Sequence, residues 1–341
     1  MYRKIMDFLE EWKNEEHRKP LILQGARQVG KTYAILEFGR THYENVAYFN
    51  FETNPKLNET FEENISPDYL IPILSHIAGQ TIVKEKTLIV FDEVQLCERA
   101  LTSLKYFCED APDYHIIVAG SLLGVAVNRA KISFPVGKVD MKTLYPMDME
   151  EFMIAVGEDE LVEQIKKCFE TNRPMPSALH DAAMQLYRQY LVVGGMPECV
   201  MQFVQTGDYI LIRHTQDTIL TSYLNDMSKY NNLNEIKKTR LAYDNITVQL
   251  SKKNTRFQYK LIKKGGRASE FENAIEWLCL SGIVSQVYRV EQIKKPLENY
   301  RDIDAFKIYV SDLGLLCAKK DLAATDILYM VEELNDFKGG M

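Results

Sequence analysis

Eight consecutive residues constrain this chain more than any others: Gly25-Ala26-Arg27-Gln28-Val29-Gly30-Lys31-Thr32 fits G-x-x-x-x-G-K-[ST] at every position. The pattern dictates a particular piece of backbone. Its glycines let the chain turn so that successive N–H groups converge on one point. A helix starting at Lys31 aims the positive end of its dipole at that same point, and anionic phosphate is the ligand such a nest suits. Lys31 then reaches the β- and γ-phosphates of a nucleotide, and the Thr32 hydroxyl sits on Mg²⁺. Leu21-Ile22-Leu23 just ahead reads as a short buried strand, so the loop has its required strand–loop–helix setting.

A partner for this loop stands about 60 residues further on. Thr87-Leu88-Ile89-Val90-Phe91 is a continuous apolar run that ends in Asp92-Glu93, as a central parallel strand would. Alone, such a run is a weak signal, because strands often end in acids. Paired with a complete phosphate loop, Asp92 is placed to hold the hydration shell of Mg²⁺ and Glu93 to polarise an attacking water. The paired acids point to a water-activating ATPase rather than a small-molecule kinase. The next apolar run, His115 to Ala119, leads to Gly120-Ser121. Ser121 is read as a γ-phosphate sensor, with a helix N-cap as the alternative. The expected ligands are therefore ATP and Mg²⁺. Gly25, Ala26, Arg27, Gln28, Val29, Gly30, Lys31 and Thr32 bind nucleotide, Thr32 and Asp92 hold the metal, and Lys31, Glu93 and Ser121 carry catalysis. Arg27, Arg129 and Lys138 are candidates for a cation that offsets phosphoryl charge, each equally readable as a solvated surface charge.

The periodicity around these motifs gives the organisation. Ile5, Phe8, Leu9 and Trp12 have helical spacing, and Pro20 ends that segment. Helices are expected over Lys31–Arg40, Tyr69–Ala78 and Glu98–Cys108, with a further strand over Val46–Phe51. Alternation of strand and helix predicts an α/β fold, a P-loop NTPase domain with a doubly wound, mainly parallel sheet over residues 1–150. A helical region is expected over 151–237, interrupted by a turn at Gly194-Gly195-Met196-Pro197. From 238 to 320 two short helical segments, a helix over Ala268–Leu280 and two β-like runs, Ile283–Val290 and Ala305–Val310, fit a winged-helix domain. Residues 321–341 form a tail, which the resemblance given below implies is either the start of a truncated C-terminal domain or the end of a natural form without one.

Net charge is −7 over 341 residues, which excludes a whole-chain nucleic-acid footprint. One local stretch is basic: Lys252, Lys253, Arg256, Lys260, Lys263, Lys264 and Arg267 lie in a segment without a single acid. At most weak, salt-sensitive DNA contact is expected through 252–267, because Glu270, Glu272 and Glu276 on the presumed recognition helix repel a duplex backbone. The six cysteines form no C-x-x-C pair and read as reduced thiols. The longest nearly apolar run, Ile116 to Val127, is too short for a bilayer, and early acidic residues interrupt any signal-peptide core. A cytoplasmic protein with no membrane partner is expected.

Taken together, these stretches resemble a group of bacterial and archaeal AAA-type ATPases that carry a winged helix and an uncharacterised C-terminal domain. The resemblance rests on Leu23–Thr32, Phe91-Asp92-Glu93-Val94-Gln95, Gly120-Ser121, Leu144-Tyr145-Pro146-Met147-Asp148 with Glu151-Phe152, Tyr190 with Gly194-Gly195-Met196-Pro197-Glu198, and Lys307 to Leu315. It implies ATP binding and kinship with regulatory, signal-transducing AAA-like ATPases. It also implies a further domain, similar to restriction endonucleases, beyond the position of Met341. One departure stands out: Gly137-Lys138 replaces the Gly-Arg of the family, and Lys lacks the planar fork of Arg. Three functions follow as alternatives: an ATPase switch that moves the winged helix, a DNA-binding winged-helix regulator in which ATP is secondary, and a scaffold in which ATP is structural. Since no arginine is convincingly placed, a partner surface, a second copy or another protein, is expected to complete the site.

Overall fold

A computed structural model of the chain describes residues 1–121, 134–229, 233–252 and 256–329. The chain divides into two compact units, one spanning Tyr2–Tyr145 and the other from Pro146 onward, joined there by Met1.

The first unit is built on a five-stranded sheet. Its strands are β1 (Leu21–Gln24), β2 (Asn45–Asn50), β3 (Thr87–Asp92), β4 (His115–Gly120) and β5 (Asp140–Thr143). They run in the order β2-β3-β4-β1-β5, and every pairing is parallel. All six residues of β3 and of β4 are buried, which explains their unbroken apolar sequences: helices cover both faces of a parallel sheet. The helices are α1 (Ile5–Lys13), α2 (Lys31–His42), α3 (Leu57–Glu63), α4 (Pro67–Ala78) and α5 (Glu98–Asp110). One face of the sheet buries an aromatic cluster in which Phe91 meets Phe49, Phe51 and Phe61 with ring centroids 5.5–6.0 Å apart. Because β4 lies between β1 and β3, Gly120 is registered against Gln24 and Val118 against Phe91. The residues that follow β1, β3 and β4 thus emerge at one sheet edge, where the crevice of an open α/β sheet forms.

Two elements are absent from the expectations. The α3 segment was too short to show a helical period. β5, Asp-Met-Lys-Thr, has no fully buried residue, so an edge strand with mixed polarity gave no apolar signal.

The second unit is mainly helical, with α6 (Met149–Ala155), α7 (Asp159–Glu170), α8 (Ser177–Val193), α9 (Pro197–Thr206) and α10 (Tyr209–Lys229). There follow α11 (Leu233–Leu250), α12 (Tyr259–Ile262), α13 (Ala268–Leu280), the antiparallel pair β6 (Val284–Val290) and β7 (Arg301–Val310), then α14 (Leu313–Lys319) and α15 (Ala324–Leu328). Three helices and a hairpin follow one another in the expected order. However, the first of the three is an 18-residue helix rather than a short segment, and position 237/238 falls inside it. The tail beyond 329 lies outside the described residues.

Sequence motifs far apart on the chain meet in this unit at one buried carboxylate. Asp312 caps α14 by accepting from Leu315 N at 2.8 Å, and it also accepts from Gly195 N at 2.6 Å. Burial pushes its carboxyl up to about 6, while the amides of Leu315, Gly195 and Gly314 hold it down. Gly195 in turn accepts from Met147 N at 2.7 Å, and Tyr190 donates to the Met147 carbonyl at 2.8 Å. A Cβ on Gly195 would stand 1.9 Å from that carbonyl oxygen, so only glycine permits the approach. Asp148 and Glu151 form a capping box at the start of α6.

Candidate functional site

The phosphate loop runs from the end of β1 into α2. Gly25 has φ +149° and Gly30 φ +89°, and a Cβ on Gly25 would lie 2.2 Å from the carbonyl oxygen of Leu144. Both glycines are therefore demanded by conformation, and the first also by close backbone approach. Between them Gln28 takes φ +67°, an unusual torsion for a side-chain-bearing residue. The loop is held from behind by Arg3, 5% exposed, whose guanidinium donates to Val29 O at 2.9 Å and Tyr145 O at 2.7 Å.

Lys31 opens α2 and is 7% exposed. Its ammonium donates to the carbonyls of Gly25 at 3.0 Å and Ala26 at 2.8 Å. Burial depresses its pKa to about 8, against the opposing pull of the Glu93 and Asp92 carboxylates and with a small push from Arg27. The next residue reaches across the edge: Thr32 Oγ1 donates to Asp92 Oδ2 at 2.9 Å. Tyr48, on the neighbouring strand β2, donates to the same oxygen at 2.7 Å, and Asn50 Nδ2 donates to the Tyr48 hydroxyl at 3.2 Å. Burial and the bond to Asp92 raise the Tyr48 phenol to about 12, Asn50 opposing them. The other Asp92 oxygen accepts from Glu93 N at 3.0 Å.

Glu93 leaves the strand in a left-handed conformation, φ +52°. For a residue with a long side chain this costs of order 1–3 kcal/mol. It turns the carboxylate out of the sheet beside Asp92, where Gln95 Nε2 donates to Glu93 Oε2. Ser121, 7% exposed, follows β4 directly, between the ends of β1 and β3. The sheet edge therefore gathers the loop 25–32, Asp92, Glu93 and Ser121. A hydroxyl and a carboxylate oxygen within one hydrogen bond form a hard-donor pair that suits Mg²⁺.

The candidate cations part company. Arg27 lies in the loop, near enough to Lys31 to lower its pKa. Lys138 does not join the site. It precedes β5, whose first residue Asp140 is registered with Leu21, the first residue of β1. That is the opposite sheet edge, roughly 13 Å away along a four-residue strand. Lys138 is paired there with Glu109 at 2.9 Å. Arg129 and Lys253 lie outside the described residues.

Sequence reasoning missed Arg3 and Tyr48, and it quoted Gln95 and Leu144 only within the motifs of the resemblance, without a role. Tyr48 and Asn50 were legible in principle, since they alternate on one face of β2 at its polar end. Nothing local marked Arg3, which acts on backbone carbonyls distant in sequence.

In the second unit Lys252, Arg256, Lys260, Lys264 and Arg267 are exposed, and Lys263 pairs with Glu270 at 3.1 Å. No helix among the described residues is long and apolar enough to cross a membrane.

Comparison with known proteins agrees with this geometry. Residues 17–153 match the family described as an AAA domain, and residues 184–326 match a domain of unknown function (DUF8612). Among solved structures, the Walker-type ATPase PABY2304 of Pyrococcus abyssi superposes with a TM-score of 0.56 at 14% identity, covering 94% of this chain and 95% of that one. The ORC2 protein of Aeropyrum pernix, in ADPNP and ADP complexes, gives 0.41 at 11% identity, covering 98% and 95%. At these identities the likeness to the Pyrococcus protein speaks for the fold. No curated protein matches the chain.

Proposed function

We propose that this chain, whose residues 17–153 match an AAA domain and whose residues 184–326 match a domain of unknown function, is a Mg²⁺-dependent ATP-binding protein and slow ATPase of the P-loop class that works as a nucleotide-controlled switch. The observation that carries the reading is the 2.9 Å bond from Thr32 to Asp92, with Glu93 next in the chain. It supports the reading because Thr32 and Asp92, the residues proposed to hold the metal, lie within one hydrogen bond with the proposed water-activating Glu93 adjacent, a combination that phosphate binding alone does not need.

In this reading the amides of Gly25 to Thr32 hold the phosphates and Lys31 leaves its loop carbonyls to pair with them. Thr32 and Asp92 hold Mg²⁺, which when bound neutralises charge building on the phosphoryl oxygens. Glu93 accepts the proton of the attacking water, and Ser121 orients it. Among the described residues this set has no assigned cation that reaches the γ-phosphate. Arg3 is committed to two carbonyls, Lys138 stands at the other edge, and Arg27 remains the candidate in the loop. Without an arginine from elsewhere, turnover on the order of one per minute or less is expected.

The winged-helix assignment of residues 238–320 is likewise a proposal, supported by the order of α11–α13 and the β6–β7 hairpin. A DNA-binding regulator is the second reading, favoured by the exposed cations of 252–267 and opposed by the acids of α13.

Glu93→Gln tests the principal reading. ATP affinity should stay within about twofold while turnover drops by roughly 10²-fold or more, the scale of general-base catalysis. Equal losses of binding and rate would assign Glu93 to structure and remove the hydrolytic reading.

A further inference from the structure

Two local costs fall together at the acid read as the water-activating group. Glu93 takes φ +52°, a torsion that side-chain-bearing residues seldom adopt. Two residues on, the side-chain carbonyl Oε1 of Gln95 is buried with no hydrogen-bond partner among the described residues. A buried carbonyl without a donor is uncommon in a folded protein and calls for an explanation.

The turn that carries both residues is held firmly. It is a single 3₁₀ turn over Val94–Leu96, closed by bonds from Leu96 N to Glu93 O and from Cys97 N to Val94 O, each 3.0 Å. Val94 and Cys97 are buried in the core cluster that contains Phe91. With the backbone fixed in this way, the half-buried side chains of Glu93 and Gln95 meet: Gln95 Nε2 donates to Glu93 Oε2. That bond decides which way the amide faces. Turning the amide over would set its carbonyl against the carboxylate, two acceptors in contact, so holding Glu93 leaves Gln95 Oε1 unpaired. A bond to a carboxylate is also of the stronger, charge-assisted kind. It fixes one oxygen of Glu93 and leaves the other, Oε1, with no donor among the described residues. Burial depresses the Lys31 pKa, and of the two acids that oppose this Glu93 pulls harder than Asp92. The Glu93 charge therefore lies close to the phosphate loop.

We propose that Gln95 is a positioning residue for hydrolysis: it grips Oε2 of Glu93 so that Oε1 stays directed at the water that attacks the γ-phosphate. The proposal rests on the reading of Glu93 as the general base. A base that must meet its proton in one geometry is itself oriented by a further group, and Gln95 is the donor that this chain supplies. A glutamine present for packing alone would have both ends of its amide satisfied or would be replaced by an apolar side chain at no loss. Here one end goes unpaired so that the other can hold the acid.

The test is a double-mutant cycle on the full chain. Gln95→Met removes the donor and the unpaired carbonyl together while keeping an unbranched side chain, and Gln95→Leu serves as a second apolar variant. Each should lower kcat by roughly tenfold to 10²-fold, the scale on which a slightly misplaced group loses rate. ATP affinity should stay within about twofold, and the melting temperature should hold or rise, since the unpaired carbonyl goes with the donor. In the Glu93→Gln background the same substitutions should change kcat by about twofold at most, because the acid they act through is already gone. A fall of equal size in both backgrounds overturns the proposal. So does a Gln95 variant as active as the parent, or one that loses melting temperature and affinity along with its rate. In each of those cases a slow Glu93→Gln variant still leaves Glu93 as the base. A Glu93→Gln variant as fast as the parent overturns the base reading itself, and the proposal with it.

Discussion

The depressed pKa of Lys31 makes nucleotide affinity depend on pH in a direction and size that the structure sets. In the free chain the ammonium titrates near 8, because burial disfavours its charge. Phosphate beside it favours the charged form, so binding raises that pKa and takes up a proton. Affinity is therefore greatest below about 8 and declines as pH rises through that value, until the pKa of the complex is reached. About nine-tenths of chains are protonated one unit below the pKa and about one-tenth one unit above it. Between pH 7 and pH 9 the apparent affinity should fall about tenfold, or about 1.4 kcal/mol. The assay is equilibrium titration with a fluorescent ATP analogue at saturating Mg²⁺ across that range. Lys31→Arg is the control, because a guanidinium does not titrate there, and its profile should be flat. Lys31→Ala should abolish binding outright. A flat profile in the parent chain, or an equal slope in the arginine variant, would refute the argument.

Other outcomes follow from the same geometry. Tyr48→Phe removes one of the two side-chain donors to Asp92 Oδ2. It should raise the Mg²⁺ concentration for half-maximal turnover by roughly fivefold, the worth of about one hydrogen bond; an unchanged Mg²⁺ titration would place Tyr48 outside the machinery. Gly25→Ala drives a Cβ to 2.2 Å from Leu144 O at φ +149°. It should abolish ATP binding and lower the melting temperature by several degrees, both visible in one thermal-shift experiment with and without nucleotide. Duplex DNA should bind weakly through 252–267 and be released by roughly 200 mM salt. Sequence-selective binding that survives that salt would promote the regulator reading over the switch.

What the sequence disclosed followed from how local each signal was. The glycines of the loop, the helix from Lys31 and the buried strands β3 and β4 are dictated within a few residues, by torsion and by apolar continuity. Their shared sheet edge followed from a parallel order. Asp92 and Ser121 were legible for that reason, since each is the polar residue that ends or follows a buried strand. Tyr48 was hidden because its role depends on β2 lying beside β3. Arg3 was hidden because it acts on carbonyls 26 and 142 residues away. Lys138, a weak candidate that the sequence reads more readily as a surface charge, pairs with Glu109, a placement that distance along the chain does not give. Likewise Asp312 belonged to a recognisable motif, yet its burial and its bond to Gly195 are tertiary facts.

Residues 144 and 147 are each fastened within their own unit. Leu144 N donates to Gln24 O at 2.8 Å, and its carbonyl lies against Gly25, so residue 144 is fastened to the phosphate loop. Met147, three residues on, is fastened in the second unit through its N–H to Gly195 and its carbonyl to Tyr190. Only Tyr145 and Pro146 separate these anchors, and Arg3 holds the Tyr145 carbonyl. Proline fixes its own φ and restricts the residue before it, so this pair has little torsional freedom to absorb motion. Within the second unit two distant motifs then make sense together: Gly195 is a close-fitting seat for Met147, and Asp312 ties that seat to the start of α14, which directly follows β7.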